Sequence, residues 1–208
     1  MCDTNKFRFT IIGSRSAPTA HCEALIDIGV ELMQLGGEGS SGGADGPDNS
    51  FTMALQDIVR DTGMDGGLFG RIYLPWNGYN GLKHGDMEGA VVLVNDPVTV
   101  ELAKTMASIA RGSFYGLTEG GIALHTRNAF PILGEDLRTH TDVVIISANT
   151  NSRGKVVGGT ATAVNIARAI GKPVINLQDP YGFQKVTKLI EYVKDLPSGR
   201  VGEFKIPE

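Results

Sequence analysis

Long apolar runs are missing from this 208-residue sequence. None approaches the roughly 18 residues that a membrane-spanning helix needs, and the N-terminal MCDTNKFRFTIIG lacks the extended apolar stretch of a secretory leader. The expectation is a protein with no membrane partner that works in the cytoplasm. Cysteine is scarce. Cys2 and Cys22 make no disulfide framework and lack the paired spacing of zinc ligands, so neither a stapled scaffold nor a structural metal site is expected. Blocks of lysine or arginine are absent too. With 19 basic against 23 acidic residues the net charge is −4, which argues against a high-affinity duplex binder with a basic face. A small anion held by a few local donors is not excluded.

Glycine is what the sequence has in excess. Its 28 glycines fall in clusters, among them Gly36-Gly37, Gly42-Gly43, Gly66-Gly67, Gly120-Gly121 and Gly158-Gly159, which marks several tight turns and no flexible linker. Hydrophobic residues make up 41%, enough for one well-buried domain over residues 1–208 and short for two.

Between the glycines, apolar runs and helical periodicity alternate. Phe7–Gly13, Glu38–Ser41, Gly70–Trp76 and Thr141–Ser147 read as strands, and a further one lies within KPVINL. Helices are expected over Thr19–Gln34, Pro47–Arg60, Val98–Arg111, Leu117–Leu133, from about Ala161 to Gly171, and Phe183–Leu196. The stretch NGYNGLKHGDMEGAVVLVNDP is an excursion with a short apolar segment at Ala90–Val94. Strands alternating with helices predict an α/β, Rossmann-like, doubly wound and mostly parallel sheet with helices on both faces.

Three turns then converge. GSRSAP follows the first strand, SGGADGPD the second, and GGTAT opens the helix near Ala161. In an open parallel sheet such turns share the carboxyl edge, where ligands bind and where helix N-termini favour anions. The candidate ligand residues are Gly13, Ser14 and Arg15 from the first turn, with the Arg15 guanidinium placed to clamp phosphate. Ser41, Gly42, Gly43, Ala44 and Asp45 come from the second, and Gly158, Gly159 and Thr160 from the third. Asp45 either accepts from a ribose hydroxyl or caps the following helix, and Asp48 reads as a cap. Arg127 and Asn128, in HTRN, reach either a ligand or only their own helix surroundings. Trp76 either stacks on a base, with Tyr79 behind it, or packs in the core. His125 is a weaker candidate for a general base, lacking a carboxylate at helical spacing. HGDME makes a poor metal site, and no metal or resident cofactor is expected.

The motifs GSRSAP, SSGGADGPD, YLPWNGYNG, HTRNAFPILGEDL and VVGGTATAVNIARAIGKPVINL, in this order over Phe7–Leu177, resemble the phage-encoded DprA-like proteins of the SLOG superfamily. That superfamily also holds DNA-processing protein A and the LOG-type phosphoribohydrolases. The resemblance implies a Rossmann-like fold whose glycine loops bind nucleotides or nucleic acid, often in a dimer, here in the cytoplasm of an infected bacterium. LOG-type enzymes carry PGGxGTxxE with an active-site glutamate. This chain has VGGTATAVN, with Val164 and Asn165 where the acid is expected, which argues against LOG-type hydrolysis. The expectation is a homo-oligomeric, non-catalytic binder of a small nucleotide-type ligand, such as a phage protein that sequesters a host immune nucleotide. Single-stranded DNA binding is the alternative, and hydrolysis of a nucleotide N-glycoside or phosphoester the third.

Overall fold

The computed structural model describes residues 6–196, so Cys2 falls outside it, while Cys22 is half-buried and unbonded. The chain runs β1 (Arg8–Gly13), α1 (Thr19–Gln34), β2 (Glu38–Ser41), α2 (Pro47–Thr62), β3 (Gly70–Tyr73), a short turn α3 (Asp86–Gly89) and β4 (Val91–Val92). It continues through α4 (Pro97–Arg111), α5 (Glu119–Arg127), α6 (Phe130–Leu133), β5 (Val143–Ser147), α7 (Thr160–Ala169), β6 (Val174–Asn176) and α8 (Gly182–Lys194). The strands form one sheet in the order β4-β3-β2-β1-β5-β6, and every pairing is parallel. The expected α/β Rossmann-like architecture is therefore present, with a sheet that is wholly parallel among the described strands. No helix among the described residues is long and apolar enough to cross a membrane.

Alternation along the central strands builds two cores. Phe9 and Ile11 of β1, with Val143 and Ile145 of β5, face a layer containing Leu25, Leu32, Phe51, Leu55 and Leu189 of α1, α2 and α8. Ile12, Val144 and Ile146 point the other way, toward Ile132, Ala163, Val164 and Ala167 of α6 and α7. Both faces of the sheet are covered, which is why these strands read as unbroken apolar runs.

The chain winds outward from β1 to β4, then returns through α4–α6 to lay β5 against the free side of β1. The winding reverses between β1 and β5. Their C-terminal ends pair Gly13 with Ser147, and the loops beyond diverge into the crevice where parallel α/β sheets bind ligands.

One helix was read too long. The span Leu117–Leu133 holds two helices, α5 from Glu119 and α6, joined through Asn128–Ala129, with Pro131 in the first turn of α6. Pro131 has no N–H for a continuing helix, and Pro at the first turn of a new one costs nothing.

Glycines at the sheet make room for Phe51. A Cβ added to Gly39 would lie 2.6 Å from Phe51 Cζ, and one on Gly70 would lie 2.5 Å from the Gly39 carbonyl oxygen and 2.8 Å from Phe51 Cζ. Gly70→Ala should therefore destabilise by about 1–3 kcal/mol, the usual cost of overpacking. Urea unfolding checks this, and an unchanged midpoint would mean that these neighbours yield freely.

Candidate functional site

The first turn of α2 carries the residue that organises the carboxyl edge. Asp48 is buried, and its carboxylate accepts from the Gly13 N–H at 3.1 Å and the Gly42 N–H at 3.2 Å. One side chain thus ties the ends of β1 and β2 to the start of α2. It does not cap its own helix: the N-cap is Gly46, at φ 79°, with no side-chain capping bond. The capping reading of Asp48 and Asp45 is corrected here, and Asp45 lies exposed outside the cavity described below.

Arg127 completes the arrangement from the end of α5. Its Nη1 lies 3.5 Å from Asp48 Oδ1 and donates to the Gly42 carbonyl, and the two side chains are 5% and 6% exposed. The guanidinium also sits over the Tyr79 ring, 5.6 Å from its centroid, a cation–π contact. The Tyr79 hydroxyl accepts from Arg15 Nη2 at 3.2 Å, and Trp76 packs edge-on against Tyr79 at 5.1 Å. Burial pushes the Asp48 carboxyl above its ordinary value, with Arg127 and the N–H groups of Gly13, Ala44 and Gly42 opposing it. The same burial works against the Arg127 charge, which Asp48 and Tyr79 support.

Several sequence candidates make room for this framework or bond within it. A Cβ on Gly42 would collide with the Arg127 guanidinium and come within 2.7 Å of Asp48 Oδ1, so the glycine makes room for the ion pair. Gly43 has φ 66°, faces Ile72 and Leu82, and gives its carbonyl to Asn80. Gly13 is bare because Pro47 of α2 packs against it. Ser41 is fully buried, its hydroxyl donating to the Ile11 carbonyl. Trp76 is 42% exposed and lies outside the cavity.

The other candidates meet in one cavity of about 350 Å³. Gly13, Ser14, Arg15 and Ala44 line one side, Arg127 and Asn128 a second, and Gly158, Gly159 and Thr160 the third. The N-terminus of α7 opens onto it at Gly159 and Thr160, and the first N–H groups of any helix lack partners within that helix. Asn128 Nδ2 donates to the Gly159 carbonyl, holding the α7 loop against α5. A Cβ on Gly158 or Gly159 would meet nothing within 4 Å, so here the backbone is open to the cavity. The arrangement suits an anion, held by backbone N–H groups and the Arg15 guanidinium.

The sequence sets no site role for Asp48, and it leaves Tyr79, behind Trp76, between stacking on a base and packing in the core. Nothing in their spacing pairs Asp48 with Arg127, 79 positions away. His125 also lines the cavity. Its Nδ1 lies 2.8 Å from Thr162 Oγ1, and burial, then the charge of Arg111, lowers its pKa below the ordinary 6.5. No group of three or more His, Cys, Asp or Glu among the described residues is placed to hold a metal ion.

No family model and no curated protein sequence matches the chain. Among solved structures it is similar to DNA processing protein A from Helicobacter pylori, described for its single-stranded DNA binding mode. The TM-score is 0.54 at 15% identity, over 92% of this chain and 81% of that one. DNA processing protein A from Streptococcus pneumoniae matches at a TM-score of 0.48 and 13% identity, over 97% of this chain and 60% of that one. The Helicobacter likeness is one of fold.

Asp48→Ala leaves a guanidinium buried without its counter-charge and should cost about 3–5 kcal/mol. The double variant Asp48→Ala/Arg127→Met should cost clearly less than the sum of the two single changes in urea unfolding. Additive losses would show that the two residues act separately.

The raised pKa sets a direction for pH. The unfolded Asp48 releases its proton near 3.8, whereas the folded one keeps it to higher pH. The folded state therefore binds more protons in that window, and this group's contribution to stability falls as pH rises through it. From pH 3.8 upward, the wild type should lose stability relative to Asp48→Asn. A relative gain would contradict the burial effect.

Proposed function

We propose that this chain binds a small phosphorylated, nucleotide-type ligand in the cavity between the β1, β2 and α7 loops, without transforming it. The observation that carries the reading is the convergence of Arg15, the N-terminus of α7 and the open backbone at Gly158–Gly159 on one bounded space. That space is of a size that takes small molecules. Of the acid–base groups around it, Asp48 is engaged through both oxygens, by Gly13, Gly42 and Arg127, and His125 through Nδ1, by Thr162.

The ordered motifs that resemble phage-encoded SLOG proteins extend the proposal to a role: sequestering a host nucleotide signal, a cyclic nucleotide or an ADP-ribose derivative. A homo-oligomer fits an apolar stripe on α4, where Val98, Leu102, Met106 and Ile109 are exposed at helical spacing, with Tyr115 beyond. Single-stranded DNA binding is the second reading, supported by the fold shared with the Helicobacter protein. Against it stands the net charge of −4, because a strand-tracking groove neutralises many phosphates.

Thermal unfolding with a panel of dinucleotides, cyclic nucleotides and ADP-ribose derivatives separates the two. At least one should stabilise the protein, while oligonucleotides shift little near physiological salt. Arg15→Ala should weaken binding of that nucleotide by about 1.5–3 kcal/mol without unfolding the chain. Gly159→Ala should do the same, since Gly159 has φ −62° and an open Cβ direction. Tight oligonucleotide binding with a steep salt dependence, and no stabilisation by the panel, would overturn the proposal in favour of DNA binding. Disappearance of the stabilising nucleotide with time would point to hydrolysis.

A further inference from the structure

Toward the amino ends of β1, β2 and β3, one face of the sheet turns polar. Register sets Arg8 beside Glu38 and Ser40 beside Arg71, and the two-residue period of a strand puts Tyr73 on the same face as Arg71. These side chains line a cavity of about 250 Å³, bordered by Phe130 and Pro131 of α6 and by the loop into β5, residues 134–141. It shares no lining residue with the anion cavity, which lies beyond the carboxyl ends of β1 and β2.

Two of the carboxylates here are matched within the chain. Glu38 lies 3.7 Å from Arg8, and Asp136 accepts from the N–H groups of Arg138 and Thr139 and from the Thr139 hydroxyl. Two other charges are not. Neither Arg71 nor Glu135 has an oppositely charged partner within 4 Å among the described residues. Arg71 Nη1 donates to the carbonyls of Gly67 and Gly70, which holds the guanidinium in place. Its Nε and Nη2 have no hydrogen-bond partner among the described residues.

Tyr73 adds a third unused group. The residue is only 4% exposed, yet its hydroxyl has no hydrogen-bond partner among the described residues. The sealed unpaired atoms are Thr126 Oγ1 and Arg127 Nε, and the Tyr73 hydroxyl is not among them, so it keeps surface open to the cavity it lines. Burial, then the charge of Glu135, pushes its pKa above the ordinary 10, with Arg71 opposing. The hydroxyl therefore stays protonated and can donate.

Two donors, Arg71 and Tyr73, suit a carboxylate, and the exposed Glu135 suits an ammonium. A ligand with either charge alone would leave the other unmatched, whereas a zwitterion answers both. The space is smaller than the roughly 300 Å³ at which drug-sized sites begin, so the molecule is small.

We propose that this cavity is a site for a small zwitterion of the amino-acid kind, its carboxylate held by Arg71 and the Tyr73 hydroxyl and its ammonium by Glu135. The proposal is independent of what the anion cavity binds.

Amide NMR titration with glycine, serine, glutamine, leucine and phenylalanine tests it. At least one should give saturable shifts at Ser40, Arg71, Gly134 and Thr139, in wild type and Arg15→Ala alike. Acetate and methylammonium, each carrying one of the two charges, should bind about tenfold more weakly or worse. Tyr73→Phe keeps the ring, removes a hydroxyl that bonds to nothing described and should fold as well as wild type, yet bind that amino acid about tenfold more weakly. Glu135→Gln, at an exposed position, should weaken binding about twofold to fivefold. No saturable shift from any of these amino acids, acetate or methylammonium binding as tightly as the amino acid, or wild-type affinity in either variant would overturn the proposal.

Discussion

The buried contact between Asp48 and Arg127 is the constraint on which the carboxyl edge depends. Two charges removed from water cost more than a simple pair returns, unless further hydrogen bonds are made. Here they are: Asp48 takes the N–H groups at the ends of β1 and β2, and Arg127 takes the Gly42 carbonyl and the face of Tyr79. The pair therefore fixes where two strands end, where α2 begins and how α5 lies across them. Arg15 and the α7 loop are positioned at one remove, through Tyr79 and Asn128.

This framework divides the glycines into two kinds. Gly13 and Gly42 are bare because protein packs against them, and Gly39 and Gly70 because Phe51 does. Gly158 and Gly159 are bare toward open space. A glycine loop at a strand end is thus not in itself a ligand loop. What distinguishes the α7 turn is that nothing in the chain occupies the volume a side chain would have filled.

The architecture was legible because it rests on local and periodic signals. Apolar runs bounded by glycine located the central strands, and Glu38–Ser41 and Thr19–Gln34 match the observed limits. The edge was harder: β4 is only Val91–Val92, and its neighbourhood holds Asn80, Met87 and Glu88 at positive φ, which no apolar period encodes. At the candidate site, residues 13–15, 127–128 and 158–160, which the sequence proposes, line one cavity. Asp48 reads as a cap in the sequence because its partners, Gly13, Gly42 and Arg127, come together only once β1, β2 and α5 are assembled. Long-range electrostatics of that kind leaves no spacing to read.

We propose that the edge of this sheet holds a small nucleotide and not a strand of nucleic acid. Mass spectrometry tests it most directly. Wild type and Arg15→Ala are each incubated with a nucleotide-rich cell extract, desalted and unfolded by heat, and the released compounds are identified. The account predicts a phosphorus-containing, ultraviolet-absorbing small molecule from wild type and little or none from Arg15→Ala. Release of oligonucleotide, of the same compound in equal amount from both proteins, or of no phosphorus compound at all would contradict it.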